Sequence, residues 1–567
     1  MEGKHTAEFP ESSELRTFMA RCQDPEARAR GLAELQAELA ALAAASNPSE
    51  LARQLGHLRA MGNNILVLFV PSPVLVAGRL TLQTQVGLTG PILPGFLYSP
   101  MRQAVQDNHM HWRTLAQISG LASDQEAQEA AQVDRWLALM LTRSVPLGHS
   151  ISLVDRAALE RQRFPWAAYF DGLGQPVAGS FALAASQDLA RVDGLLSLPL
   201  GTIKSYARVL LIERYAELLT QPMLDEEYRH HFLPSRYVMV RSWSLREACS
   251  GMLPRSLYAQ IGFQYLSPLA NGENQRRADL LLSALRARLI DRLLRAPLPD
   301  GTLQDATVAR VRQVTPIFLS EMVPAPPPPA PMGGPSFLAL YRQIRQEETA
   351  RELARSGRPW RAQFGDASFS TAAYLPEANR VWLSPELQRE PYLTAPPWGA
   401  ATYGGLGFAI GHELGHILPG TPWLVSASRT SVASTLPGRA WYSCVGRLFS
   451  GLAASGKVSF DLERSLGEYM PDLVGLSLAL EEMERAAITP AGAESSVERL
   501  QTFFVAFAQG MCAYGGDDRS TLWAFVDEHP SILLRINGVV SQSAAFARAF
   551  ACRAGQPMAP EPRCTPW

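Results

Sequence analysis

The chain has 567 residues, a formal net charge of −1, 47% hydrophobic and 19% charged residues. That composition can bury substantial cores and excludes a disordered chain, and the near-neutral balance gives no electrostatic ground for nucleic acid or an anionic membrane as partner. The length suffices for about three to four average domains, or two large lobes.

The opening residues, MEGKHTAEFPESSEL, contain no apolar signal-peptide core. On that reading the protein is cytoplasmic, or a leader has been removed or missed. Leu15 to Ala45 is rich in Ala, Leu, Glu and Arg and reads as helix. Asn64 to Gln85 reads as strand; its most apolar run, Ile65 to Val70, precedes Pro71 and Pro73 and is far short of the roughly 20 residues of a membrane span. Residues 101–145 read as helix, and so do Asp155 to Gly172, Gln187 to Leu219 and much of Arg241 to Leu294.

The one clear linker is Val323 to Ser336, VPAPPPPAPMGGPS, whose proline run makes an extended spacer. It predicts a lobe boundary, with residues 1–322 on one side and 337–567 on the other. Beyond it, Ser368 to Arg380 and Val381 to Leu387 read as short paired strands around a turn at Pro376–Asn379.

Residues 404–420, GGLGFAIGHELGHILPG, carry the strongest chemical signal. In the H-E-x-x-H arrangement, His412 and His416 project about 40° apart on a helix, so two imidazoles can reach one metal. Glu413 lies on the same flank, placed to accept a proton from a metal-activated water. Leu406, Ile410, Leu414 and Ile417 form a separate apolar face, and Pro419 and Gly420 end the helix. Two histidines at this spacing can also be ordinary helix residues, so a third ligand decides the matter.

GEYMPD, residues 467–472, offers one. Glu468 and Asp472 share a helical face, so Glu468 can complete a zinc site and Asp472 can accept an N–H from a ligating histidine. Pro471 is tolerable if the helix begins near Gly467 or Glu468. The six cysteines, Cys22, Cys249, Cys444, Cys512, Cys552 and Cys564, form no C-x-x-C pair. Their even count, scattered over the whole chain, fits long-range disulfides, with buried free thiols as the alternative.

These motifs together resemble the neprilysin and endothelin-converting-enzyme family of zinc metallopeptidases. GGLGFAIGHELGH resembles that family's zinc helix and GEYMPDLVGLSLAL its glutamate-ligand helix. The segment from FFVAFAQGMC to the end, with DEHPSILLRINGVV, is similar to its C-terminal block. DRAALERQRFPWAAYF and RSWSLREACSGMLPRSLYAQ carry weaker similarity. The resemblance implies a mainly α fold with a small β component, in which a helical lobe caps a thermolysin-like catalytic lobe around an internal chamber. It implies a single zinc ion on His412, His416 and Glu468, with Glu413 as general base and Asp472 orienting His412. His529 would stabilise the oxyanion and Arg535 would hold a substrate carbonyl. The expected activity is hydrolysis of small peptides on the amino side of apolar residues.

The chain departs from the family at two places. Thr371, Ala372, Ala373 and Tyr374 stand where the substrate-binding strand has Asn-Ala-Tyr-Tyr, so Thr371 and Ala372 are the expected substrate contacts without the amide clamp. Leu418, Pro419 and Gly420 stand where the family has Phe-Asp-Asp, so the carboxylate that supports the second histidine is missing. These departures leave open a zinc-binding pseudopeptidase that captures peptides or a partner protein. The resemblance pairs Cys22 with Cys249 and Cys444 with Cys564, leaving Cys512 and Cys552 to pair with each other. Such disulfides favour export to the periplasm or the extracellular space, with cytoplasmic residence as the alternative.

Overall fold

The stretch 15–45 folds as two helices rather than one, α1 (Ser13–Gln23) and α2 (Pro25–Ala44). Asp24 accepts the N–H groups of Glu26 and Ala27, and Pro25 opens the new helix, so the break is a capping signal inside a continuous helical composition. The computed structural model describes residues 13–77, 79–91, 102–142, 151–183, 188–232, 245–295, 301–322, 324, 332–363, 372–376, 378–394, 398–418, 444–445, 447–448, 462–486, 496–511, 529, 532 and 534–564. Helices dominate, strands are few, and contacts divide the chain into two compact units.

The first unit comprises Met1–Val145, His149–Gly262 and Pro324–Arg361. After α3 (Pro48–Ala60) comes a hairpin of β1 (Val67–Val76) and β2 (Arg79–Leu88), paired in register from Val67↔Leu88 to Val76↔Arg79. The expected single strand is therefore two. Pro71 and Pro73 lie inside β1, which is tolerated because β1 is the edge of the sheet ordered β1-β2-β4-β3. Two residues apart, both missing N–H groups fall on the outer side of the strand.

Helices α4 (Arg102–Ser119) and α5 (Asp124–Thr142) occupy the region read as helical. They are followed by β3 (Ser152–Val154), α6 (Trp166–Leu173), β4 (Phe181–Leu183), α7 (Leu200–Ala216) and α8 (Leu245–Gly251). Where β1, α6 and β4 meet, Phe69, Trp166, Tyr169, Phe170 and Phe181 pack with neighbouring ring centroids 5.4 to 6.2 Å apart. Aromatic residues of this size supply most of the apolar area of such a core. Cys249 on α8 is bonded to Cys22 on α1.

The second unit comprises Pro146–Gly148, Phe263–Val323 and Ala362–Trp567. This division departs from a boundary at 323–336 in both directions. The helix Phe337–Ala354 joins the first unit: buried Arg59 donates to the Phe69 carbonyl, to Thr349 Oγ1 at 3.3 Å and to Glu352 at 3.0 Å. Residues 357–360 then bond to β2 ahead of its pairing with β4, with Leu82 N donating to the Arg358 carbonyl at 2.8 Å and Trp360 N to that of Leu80 at 2.9 Å. Conversely, 263–323 supplies the second unit with α9 (Gly272–Arg295), α10 (Gly301–Gln313) and β5 (Thr315–Ile317). The polyproline composition marks a spacer, but backbone pairing decides which unit each flank joins.

In the second unit, β5 runs parallel to β7 (Arg380–Leu383), which pairs antiparallel with β6 (Ala372–Leu375), so β6 is an edge strand. The turn between β6 and β7 falls at 376–379 as expected, with Asn379 at φ 50°. Apolar residues of α9, including Leu281, Leu285 and Leu289, enter one core with those of α11 (Phe408–Gly415), α12 (Leu462–Ala486), α13 (Ser496–Gly510) and α14 (Ala544–Ala549).

Cys444 and Cys564 are disulfide-bonded, tying the last described residues to this unit. The third expected bridge is not formed: Cys552 is a free thiol whose Sγ faces the Phe550 carbonyl at 3.9 Å. Cys552 lies in the turn after α14, and Cys512 lies outside the described residues. Among the described residues no single helix is long and apolar enough to cross a membrane.

Candidate metal centre

The helix that carries His412 has glycines at positions 411 and 415 among bulkier residues. Ala400–Thr402 leads through a π-turn at Tyr403–Gly407 into α11. Leu406, Ile410, Leu414 and Ile417 are each 0% exposed, as their spacing required, and root the helix in the core. The helical bonds end at Gly415, with His416 in the cap position; Pro419 and Gly420 lie outside the described residues.

Glycines set how closely α12 approaches. A Cβ on Gly411 would stand 2.9 Å from Gly475 Cα, one on Gly475 would stand 2.5 Å from His412 N, and one on Gly415 would stand 2.7 Å from Pro471 Cα. α12 begins at Leu462, so Pro471 sits inside it rather than in its first turn. The bare backbone of Gly415 leaves the room that the proline fills. Gly475→Ala is expected to force the helices apart, costing about 1–3 kcal/mol of stability as overpacking. Zinc affinity, read by chelator competition, should fall with it; a native affinity would show that the close approach does not set the site.

This approach brings the ligand atoms together. His412 Nε2 and His416 Nε2 lie 3.1 Å apart, and Glu468 Oε2 lies 3.3 Å from the first and 3.6 Å from the second. A tetrahedral zinc with bonds of about 2.0–2.2 Å has ligand–ligand edges of about 3.3–3.6 Å, close to these separations, so the three donors fit that ion. Among the described residues they form the one group of three such side chains within mutual reach, and all three are buried.

A layer of charge stands behind the ligands. Asp472, fully buried, accepts His412 Nδ1–H at 2.7 Å, and Arg535 donates to both of its oxygens at 2.7 and 2.6 Å. His529 Nε2 lies 3.2 Å from Glu468 Oε2, with its side chain 46% exposed. Glu413 is buried beside the ligands and its Oε2 accepts the backbone N–H of Tyr374, on β6, at 2.6 Å.

These contacts fix the protonation of the metal-free site. Burial opposes charge on His412, but Asp472 and then Glu468 outweigh it and hold its pKa at about 10. Burial and the neighbouring His412 push His416 down to about 3. Burial works against ionised Glu468, yet hydrogen bonds from His412 and His529 hold it below the ordinary carboxylate range. Burial raises Glu413.

At pH 7 His412 in the metal-free site therefore holds a proton that zinc must displace. Calorimetric zinc titration in buffers of different ionisation enthalpy should show about one proton released per ion at pH 7. Affinity should rise with pH until His412 loses its proton near pH 10. Zero or two protons released would contradict this assignment.

His412, Glu413, His416, Glu468, Asp472, His529 and Arg535 are thus gathered in one unit. Ala372 lies on the same edge strand as Tyr374, and Thr371 lies outside the described residues. Arg535, expected to hold a substrate carbonyl, directs Nε and Nη2 to Asp472. Sequence reasoning passed over Tyr374 as a partner of Glu413, because the contact is made by a backbone N–H that no side-chain pattern reveals.

The fold and the donor set define a mainly α, two-lobed protein with a zinc-helix and glutamate-helix metal centre. Family comparison matches peptidase family M13 at residues 2–317 and again at 371–565. The chain belongs to peptidase family M13. Human endothelin-converting enzyme-like 1 is 31% identical over 209 residues, which is 35% of this chain and 26% of that protein. The match therefore spans about a quarter of that relative's length. The crystal structure of Mycobacterium tuberculosis zinc metalloprotease ZMP1 in complex with inhibitor superposes with a TM-score of 0.79 at 19% identity, covering 98% of this chain and 88% of that one. PEPO from Lactobacillus rhamnosis HN001 gives a TM-score of 0.71 at 15% identity, covering 98% and 90%. At these identities the structures establish the shared fold.

Proposed function

We propose that this chain is a zinc-dependent endopeptidase that hydrolyses small peptides, cutting on the amino side of apolar residues. The observation that carries the reading is the buried triad of His412, His416 and Glu468 with zinc-compatible edges, flanked by Glu413. His412, His416 and Glu468 would hold a zinc ion, which would supply Lewis-acid polarisation of the scissile carbonyl and of the attacking water. Glu413 would accept a proton from water as the water oxygen adds to the carbonyl carbon, and deliver it to the amine nitrogen as the C–N bond breaks. Asp472 keeps His412 in the tautomer that presents Nε2, and Arg535 keeps Asp472 ionised. His529 donates to the oxyanion, and the remaining Nη1 of Arg535 holds a substrate carbonyl.

The free edge of β6 suits an extended peptide. Tyr374 N–H points away from β7, so Ala372, two residues earlier, presents its N–H and carbonyl on the same edge. Thr371 adds a hydroxyl where an amide clamp was expected. The two disulfides support folding in an oxidising compartment, the periplasm or the extracellular space.

A second reading, a zinc-binding protein that captures peptides without turnover, draws on Thr371 and on Pro419 where a supporting carboxylate was expected. A mixed peptide library treated with the zinc-loaded protein and with Glu413→Gln separates the two. Turnover by the native protein alone supports the peptidase. Binding without turnover by either protein supports capture, and a chain that takes up no zinc refutes both.

A further inference from the structure

The general base is held by a group outside its own helix. Tyr374 N–H reaches Glu413 Oε2 from β6 (Ala372–Leu375), which among the described residues is paired on one side only, with β7. So short and one-sided a ladder determines the strand's position weakly. The Tyr374 side chain supplies what the ladder lacks. Its phenol oxygen receives Arg310 Nε at 2.7 Å and donates to Asn379 Oδ1 at 2.9 Å. Asn379 Nδ2 closes the ring by donating to the Arg310 carbonyl at 3.0 Å.

Arg310 also donates to the Pro376 carbonyl, and its guanidinium carbon lies 5.8 Å from the centre of the Tyr374 ring. Asn379, in the left-handed region at φ 50°, ends the turn that follows β6. Arg310 on α10 thereby grips β6 at its one buried phenol and at its turn. Among the described residues these bonds tie neither Arg310 nor Asn379 to a metal-ligating side chain.

We propose that Arg310, with Tyr374 and Asn379, forms a clamp that positions the general base: Arg310 is a positioning residue acting on Glu413 through the backbone N–H of Tyr374. The inference rests on the role given to Glu413 above. With Oε2 fixed by that N–H, Oε1 is turned to the reacting water in a single rotamer. Loosening β6 lets the carboxylate wander, and a displacement of about 1 Å at a reacting group can cost about a hundredfold in rate.

The test compares Arg310→Ala, Arg310→Lys and Tyr374→Phe with the native zinc protein in peptide hydrolysis, zinc affinity and thermal unfolding. Arg310→Ala and Tyr374→Phe should lower kcat by about tenfold to a hundredfold. Zinc affinity should stay within about twofold while kcat falls, a split that general destabilisation would not give; KM can rise as well, because β6 is also the proposed peptide edge. Arg310→Lys should recover part of the rate by donating to the phenol oxygen. In a Glu413→Gln background, Arg310→Ala should cause no further loss, because both changes act at one group.

Unchanged kcat in both variants, zinc affinity worsening in step with kcat, or additive losses in the Glu413→Gln background would overturn the clamp. If Arg310→Ala does not fold, Tyr374→Phe, which keeps the ring, decides the question. Native turnover with unaffected variants refutes this inference alone. A native protein that binds zinc but cleaves no peptide refutes the parent reading, and the clamp with it.

Discussion

Glu413→Gln is expected to lower kcat by about a hundredfold to ten-thousandfold, the usual contribution of a positioned base, with zinc content unchanged. Glutamine keeps the length of the side chain and an oxygen for Tyr374 N–H, so the helix and the ligand geometry should survive. What disappears is the capacity to take a proton from water and return it to the leaving amine.

The same variant should stabilise the metal-free protein. Burial raises the folded pKa of Glu413 above its ordinary value of 4.5. A group whose pKa is raised by folding contributes most below its unfolded pKa, and that contribution is lost as pH rises through the folded pKa. At neutral pH the buried carboxyl is therefore a cost that glutamine removes. Denaturant unfolding of the metal-free proteins should show the variant more stable at pH 7 and the difference shrinking toward pH 4. Equal kcat for the two proteins would remove Glu413 from the mechanism, and a less stable variant would contradict the electrostatic account.

Asp472→Ala should have the largest effect on stability. The carboxylate is fully buried and answers both His412 and Arg535, so its removal strands a buried guanidinium and leaves His412 Nδ1 without that acceptor. Breaking a buried pair by removing one partner typically costs about 3–5 kcal/mol. Loss of the group that orients a ligating histidine typically costs about 10–100-fold in metal affinity or activity. Burial opposes ionisation of Asp472, but Arg535 and then His412 hold its folded pKa below the ordinary 3.8.

A depressed acid stabilises the fold above its unfolded pKa and loses that contribution as pH falls through the folded value. The stability gap between native and variant should accordingly be full at pH 7 and close below about pH 4, where the unfolded carboxyl protonates. Asp472→Asn, which keeps an acceptor but loses the charge, should fall between the two. Native-like zinc affinity and unfolding midpoint in Asp472→Ala would show that the buried pair supports neither the metal nor the fold.

The local chemistry of the metal centre was legible in the sequence because it is written in short-range spacing. His412 and His416 share a face through helical periodicity, Glu468 and Asp472 share another, and each apolar position expected to root the zinc helix is buried. The hairpin turn at 376–379 and the Cys22–Cys249 and Cys444–Cys564 bridges also agree with expectation.

The remainder depended on contacts distant in sequence. No spacing shows that residues 357–360 bond to β2, or that β5 from the other side of the proline run pairs with β7, so a composition-based boundary assigned both flanks to the other lobe. Pro471 was expected near a helix start because a missing N–H is harmless there. It is accommodated mid-helix because Gly415, on a different helix, leaves space for its ring.

The sequence by itself determined which side chains could hold zinc and which carboxylate could act as base, since ligand identity and helical phase are local properties. Only the tertiary structure decided that Gly411 and Gly475 bring the two ligand helices to backbone contact, and that Arg535 answers Asp472. It also decided that a backbone N–H from an edge strand holds Glu413. The physical reason is the same in each case: close approach and the satisfaction of buried charge depend on what the rest of the chain brings to that point, and neither leaves a period in the sequence.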